Sequence, residues 1–252
     1  MLEENLFGSY KLFMSKELDK ARPKFLFASI PELGLVGLLA LRHMVKKLSM
    51  NQTGYILSDQ TAMILRYEDG KPLPGIRLYE SDNLMVLIME VPVLPANVVD
   101  IGKLLLALYF KIEPEMMIMF GSAPSVIRQK KQIDDIMVLG VPIGDRAADM
   151  LKKGDIDSLK NGTLSGPYAY VLNNLLKDGK DALVLLAETY SAPITVDPES
   201  SAKLLKVISK MIGIDIDVKE LMERAEEIRL EMRKLEQLAA PTVPKEIGQL
   251  YT

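Results

Sequence analysis

Apolar and polar positions along the chain fall into two alternating kinds of segment. Short, continuously apolar runs occur at Lys24–Ile30, Asn83–Glu90, Met116–Phe120, Ile136–Val141 and Asp181–Ala187. Each has the length of a strand buried on both faces. Between them, apolar residues recur every three or four positions over Leu35–Leu48, Pro95–Phe110 and Gly166–Lys177, which predicts helices. Arg42, Lys46 and Lys47 fall on the polar side of the first, the two lysines at the end where the helix dipole favours cations. Gly54–Leu57, Thr61–Tyr67 and Ile76–Tyr79 are separated by Asp69-Gly70 and followed by Ser81-Asp82-Asn83. Those turn residues predict an antiparallel insertion that runs into the buried strand at Asn83–Glu90. Met1–Arg22 reads as a polar, amphipathic opening. The pattern as a whole predicts an α/β fold with a three-layer α/β/α sheet, helices on both faces.

The last third changes character. Pro198–Ile212 and Val218–Ala239 read as two helices with no strand after them. In the second, Val218, Leu221, Ala225, Ile228, Met232, Leu235 and Ala239 alternate spacings of three and four. Such a seam serves either an oligomer contact, through Leu221, Ile228, Met232 and Leu235, or a helix laid on its own domain. Pro241 and Pro244 then break the helical pattern, and Gly248 keeps the end of the chain pliable. The expected organisation is an α/β domain over 1–217, a C-terminal helix over 218–240 and a flexible tail over 241–252.

Composition narrows the chemistry. The 252 residues are 48% hydrophobic, enough for one sizeable core. A net charge of -3 offers no basic field for nucleic acid, and the short basic stretch Arg128–Lys131 reads as a solvated helix end or loop. Cysteine is absent, which removes disulfides, thiolate metal sites and cysteine nucleophiles. Neither a long apolar span nor a signal-like start is present, so a cytoplasmic protein is expected. The lone histidine, His43, lies mid-helix and reads as a helix residue rather than a catalytic base or metal ligand. Gly121-Ser122-Ala123-Pro124 only approaches a nucleophile elbow, and Asp134-Asp135 and Glu226-Glu227 need not converge. No cofactor, metal or catalytic residue is expected. Pro31–Gly37 carries Gly34 and Gly37 where a strand passes into a helix, a place where amides can cradle an anion. Its spacing differs from the dinucleotide fingerprint, and it reads as a structural turn, with a nucleoside- or phosphate-binding enzyme as the alternative.

Three segments resemble the proteasome assembly chaperone family, in particular its archaeal homologues: Ile30–Ala40 with its glycine turn; Gly162–Leu176 followed by Leu183–Thr189; and Asp197–Leu205 followed by Gly213–Leu221. Glu32 stands where many members carry a small residue. The resemblance implies a phosphorylase-like α/β fold without established catalysis, in homo-oligomers that engage the proteasome core particle. It also implies a role for Leu250, Tyr251 and Thr252, which match position by position the hydrophobic-Tyr-any ending whose carboxylate meets a lysine between outer-ring subunits. A second reading is a scaffold whose tails are hidden and which binds another partner.

Overall fold

The computed structural model describes residues 2–15, 23–59, 61, 64–191 and 196–239. Its centre is a parallel core of four strands, β3 (Phe25–Ser29), β8 (Leu84–Met89), β9 (Met116–Ser125) and β12 (Ala182–Tyr190). β3 lies between β8 and β9, with Phe25 opposite Leu84 on one side and Met116 on the other, and β9 pairs in turn with β12. Antiparallel strands widen the sheet at both ends. On one side β7 (Ile76–Ser81), β4 (Asn51–Leu57), β2 (Tyr10–Met14) and β1 (Leu2–Phe7) follow β8; on the other, β10 (Val138–Ile143) and β11 (Asp157–Ser158) follow β12. The order is β1-β2-β4-β7-β8-β3-β9-β12-β10-β11, with β5 (Leu65–Glu68) and β6 (Lys71–Pro74) as a separate hairpin.

Strand alternation divides the core in two. Phe25, Phe27, Val86, Ile88, Ile118 and Phe120 point to one face, where they meet α1 (Val36–Lys47), α3 (Asp145–Gly154), α5 (Pro198–Ile212) and the start of α6 (Lys219–Ala239). Leu26, Ala28, Met85, Leu87, Met117 and Met119 point to the other, under α2 (Val98–Ile112) and α4 (Gly166–Lys177). Burial on both faces is why these strands read as unbroken apolar runs rather than as alternating ones. The expected α/β/α layering is therefore present.

Some elements depart from the sequence expectation. The opening residues form the β1–β2 hairpin, which joins the sheet through pairing of Leu12 with Ile56 on β4. Tyr10 and Leu12 are buried while Lys11 faces out, so five residues of period-two pattern suffice once a sheet edge is available. The insertion strand expected over Thr61–Tyr67 is shorter and later, at β5, and turns at Asp69-Gly70 into β6. α3 buries only Ala147, Leu151 and Gly154, too sparse a stripe to stand out in the sequence.

α6 lies against α5. Leu221, Ala225 and Ile228 of the three-four seam are buried within the chain itself, Met232 is half-buried and Leu230 is exposed. His43 reaches from α1 to the same region, its Nε2–H donating to the Asp217 carbonyl at 2.6 Å. Lys47 adds ion pairs to Asp217 and Glu220. Among the described residues, no helix is long and apolar enough to cross a membrane.

Candidate functional site

Polar residues converge where the parallel strands end. The chain leaves β3 at Ile30 and enters α1 through Gly34, which has φ +71, and Leu35, also left-handed at φ 48. A Cβ on Gly34 would sit inside the van der Waals envelope of Thr189 Oγ1, and one on Gly37 would lie 2.7 Å from the Phe120 carbonyl. Both glycines thus permit a close approach of the β3–α1 turn to the ends of β9 and β12. One amide at this junction is already engaged from within the chain. The Ser122 amide donates to Glu32 Oε2 at 2.8 Å, so a carboxyl from within the chain sits there.

Burial dominates the chemistry of Glu32 and pushes its pKa up to about 8, the hydrogen bonds from Ser122 and the Gly37 amide offsetting only part of that cost. Among the described residues its other oxygen, Oε1, is buried and meets no hydrogen-bond donor. Glu32 therefore keeps its proton at neutral pH. Tyr168, from α4, stands beside it. Its hydroxyl donates to the Phe120 carbonyl at 2.6 Å and accepts from the Ile30 amide at 2.9 Å, pinning β9 and the end of β3 together. Complete burial, then the nearby Glu32, raises the phenol well above its usual range, so it too stays neutral.

A second group lies beyond β9. Arg128 has no solvent exposure, contrary to the expectation of a solvated Arg128–Lys131 segment. Its Nη2 donates to Asp197 Oδ1 at 2.7 Å and Glu199 Oε2 at 2.9 Å, its Nε donates to Asp197 Oδ2 at 2.9 Å, and its guanidinium stacks over Tyr190 at 4.8 Å. A fully buried arginine is tolerable only with such compensation. Asp197 also caps α5 by accepting from the Ser200 amide at 3.0 Å. Arg229 of α6 donates to Glu199 and to the Lys131 carbonyl, so the cluster ties α6 to the body. Lys131 in turn pairs with Glu188, whose pKa is lowered: burial opposes the shift, and the Lys131 hydrogen bond leads the groups that outweigh it.

This arrangement can position elements and hold protons. His43, bound to Asp217, points away from Ser122 toward α6, so the two do not form a nucleophile–base pair. No group of three or more potential metal-ligating side chains occurs among the described residues. Asp134 and Asp135 lie in a short helical turn, and Glu226 and Glu227 are exposed on α6. Leu250, Tyr251 and Thr252 lie outside the described residues, as does the Leu235 side chain. Sequence reasoning missed Glu32, Tyr168 and Arg128 as a set, because their partners lie between 48 and 138 positions away. The acidic start of α5, Asp197 and Glu199, gave no local sign of it, because acids suit a helix N-terminus without any cation.

The fold and this strand-end cluster define a class of α/β proteins, and comparison with known proteins makes it specific. A sequence profile described as PAC2 family matches residues 26–236, and the chain belongs to that family. An uncharacterised protein of Methanocaldococcus jannaschii is 25% identical over 224 residues, covering 87% of this chain and 90% of that one. Among solved structures, Pyrococcus furiosus PbaA, described as an archaeal homologue of proteasome-assembly chaperone, superposes with TM-score 0.78 at 25% identity, covering 92% of this chain and 93% of its own. Pyrococcus furiosus PbaB, described as an archaeal proteasome activator, gives TM-score 0.75 at 18% identity, with 90% and 99% covered.

Proposed function

We propose that this chain is a non-enzymatic, ATP-independent proteasome assembly chaperone or activator that acts as a homo-oligomer in the cytoplasm. The observation that carries this reading is the likeness over nine-tenths of both chains to PbaA and PbaB, two proteins described by their proteasome roles. The stretch Leu250-Tyr251-Thr252 supports it, since an aliphatic side chain and an aromatic ring with a hydroxyl suit a pocket on another protein. In this reading the tails dock between outer-ring subunits of the core particle.

One docked tail buries a leucine side chain and much of a tyrosine ring, worth about 3 to 5 kcal/mol before the cost of ordering it. Alone it binds weakly. Several tails on one particle bind at an effective local concentration that adds about two to four decades of avidity. Residues 241–249 span up to about 30 Å when extended, enough to bridge a body and a pocket when the two symmetries differ. Because Leu221 and Ile228 are buried within the chain, an oligomer contact through α6 would rest on its outer side, with Leu230.

Native mass measurement of the full chain, alone and mixed with core-particle subunits, tests this. The expected masses are a homo-oligomer alone and a complex with outer-ring subunits after mixing. A monomer that leaves the core-particle masses unchanged would refute the proposal.

A further inference from the structure

A different cluster lies at the other side of the parallel core. The chain leaving β3 enters α1 on one face of the sheet, and the chain leaving the adjacent β8 goes on to α2 on the other. That reversal is a topological switch point, the place at which open α/β sheets accept ligands. Glu90 follows β8 immediately, and three arginines from three different elements surround it. Arg77 of β7 is buried and lies 2.9 Å from Glu90 Oε2, with its Nε donating to the Tyr79 hydroxyl at 3.0 Å and Nη1 to the Pro74 carbonyl. Arg66 of β5 donates to Glu90 Oε1 at 3.0 Å. Arg42 of α1 reaches only to 3.6 Å of that same oxygen.

Charge and hydrogen bonding are both incomplete here. Three guanidinium groups face one partly buried carboxylate, and the next acid, Glu68, is half exposed and no closer than 3.6 Å to Arg66. Among the described residues Arg42 has no hydrogen-bonded partner, and its side chain is 37% exposed, against 26% for Arg66. Because Arg42 and Arg66 approach one oxygen, at 3.6 and 3.0 Å, their guanidinium heads are close enough neighbours for one oxyanion to approach both. Guanidinium forks suit that geometry. Burial, and then repulsion from Arg66, lowers the Arg42 pKa, so an added negative charge would relieve a strain the cluster already carries.

We propose that Arg42 and Arg66, backed by Arg77 and held by Glu90, form a binding site for a phosphate-class dianion, either free phosphate or a phosphate monoester. A dianion fits better than a monoanion because the surplus at the cluster is one to two positive charges, depending on how far water screens Glu68. Glu90 sets the spacing of the arginine heads from below and leaves their outer edges to the ligand. The site is separate from the Gly34–Gly37 turn, where Glu32 occupies the corresponding position, and it is independent of the proposed tail docking.

Titration calorimetry of the full chain with inorganic phosphate, at fixed ionic strength and near neutral pH, tests the proposal, with acetate as the carboxylate arm and glycerol 3-phosphate as the monoester arm. Saturable one-site binding of phosphate or the monoester is expected, with acetate at least about tenfold weaker. Arg42→Gln and Arg66→Gln should each weaken binding by about tenfold or more, the loss of charge-assisted hydrogen bonds. Lys46→Gln, which removes a surface cation from the same helix, should leave it unchanged. Far-UV circular dichroism of each variant confirms that it is folded. Absence of saturable binding to the folded chain, equal binding of acetate, or unaltered affinity in a folded Arg42→Gln variant would each overturn the assignment.

Discussion

Replacing Glu32 by Gln should change how stability depends on pH, because the amide imitates the protonated acid without titrating. In the folded chain the carboxyl holds its proton up to about 8, while the unfolded chain releases it near 4.5. Between those values the folded state binds more protons than the unfolded one, so stability falls as pH rises. The contribution is complete below 4.5 and gone above about 8. At about 1.4 kcal/mol per pH unit, the loss across this window reaches up to about 4 to 5 kcal/mol. Urea unfolding followed by far-UV circular dichroism, at intervals from about pH 5 to about pH 8.5, measures it for both proteins. Glu32→Gln should cost little at the acid end and should exceed the parent at the alkaline end. If the stability difference between the two stays constant across the series, burial does not hold the proton on Glu32 and the electrostatic reading of the strand ends is wrong.

Other substitutions probe the same region by different physics. Arg128→Met leaves Asp197 and Glu199 buried against reduced compensation and should cost about 3 to 5 kcal/mol in urea unfolding, a loss that Arg128→Lys should only partly restore. Gly37→Ala forces a methyl group against Ser29 and the Phe120 carbonyl and should cost about 1 to 3 kcal/mol, whereas Gly179→Ala, equally glycine but with open space around it, should show only the backbone penalty of its φ of +61. Tyr168→Phe removes the partner of both the Ile30 amide and the Phe120 carbonyl, and should cost about 2 to 4 kcal/mol while keeping the ring's packing. A loss under about 0.5 kcal/mol would mean that water satisfies those two groups.

The legible part of this fold was the part set by local pattern. β3, β8, β9 and β12 are continuous apolar runs because helices cover both of their faces, and α1, α2 and α4 carry apolar stripes wide enough to detect. The β1–β2 hairpin was not legible, since a five-residue alternation such as Tyr10–Met14 becomes a strand only when β4 offers it an edge. α3 escaped because two or three apolar contacts hold it. The candidate site was less legible still. Gly34 and Gly37 announce a tight turn, but what the turn packs against, Thr189 and the Phe120 carbonyl, is a matter of topology. Arg128 looked like part of a solvated basic segment for the same reason: the acids that let it be buried are 69 and 71 residues further along. The three-four seam of α6 was ambiguous by nature, because one apolar stripe serves equally to cover α5 or to meet a neighbour.

The proposed function rests on an aromatic tail inserting into the proteasome outer ring, and Tyr251→Ala tests that step most directly. Binding of the purified full chain to immobilised core particle should be measured beside the variant, with native mass confirming the same oligomer for both. The account predicts strong binding for the parent and a loss of about a hundredfold or more for Tyr251→Ala, since every tail of the particle is weakened at once. Equal binding by the two proteins, or none by either, would contradict it.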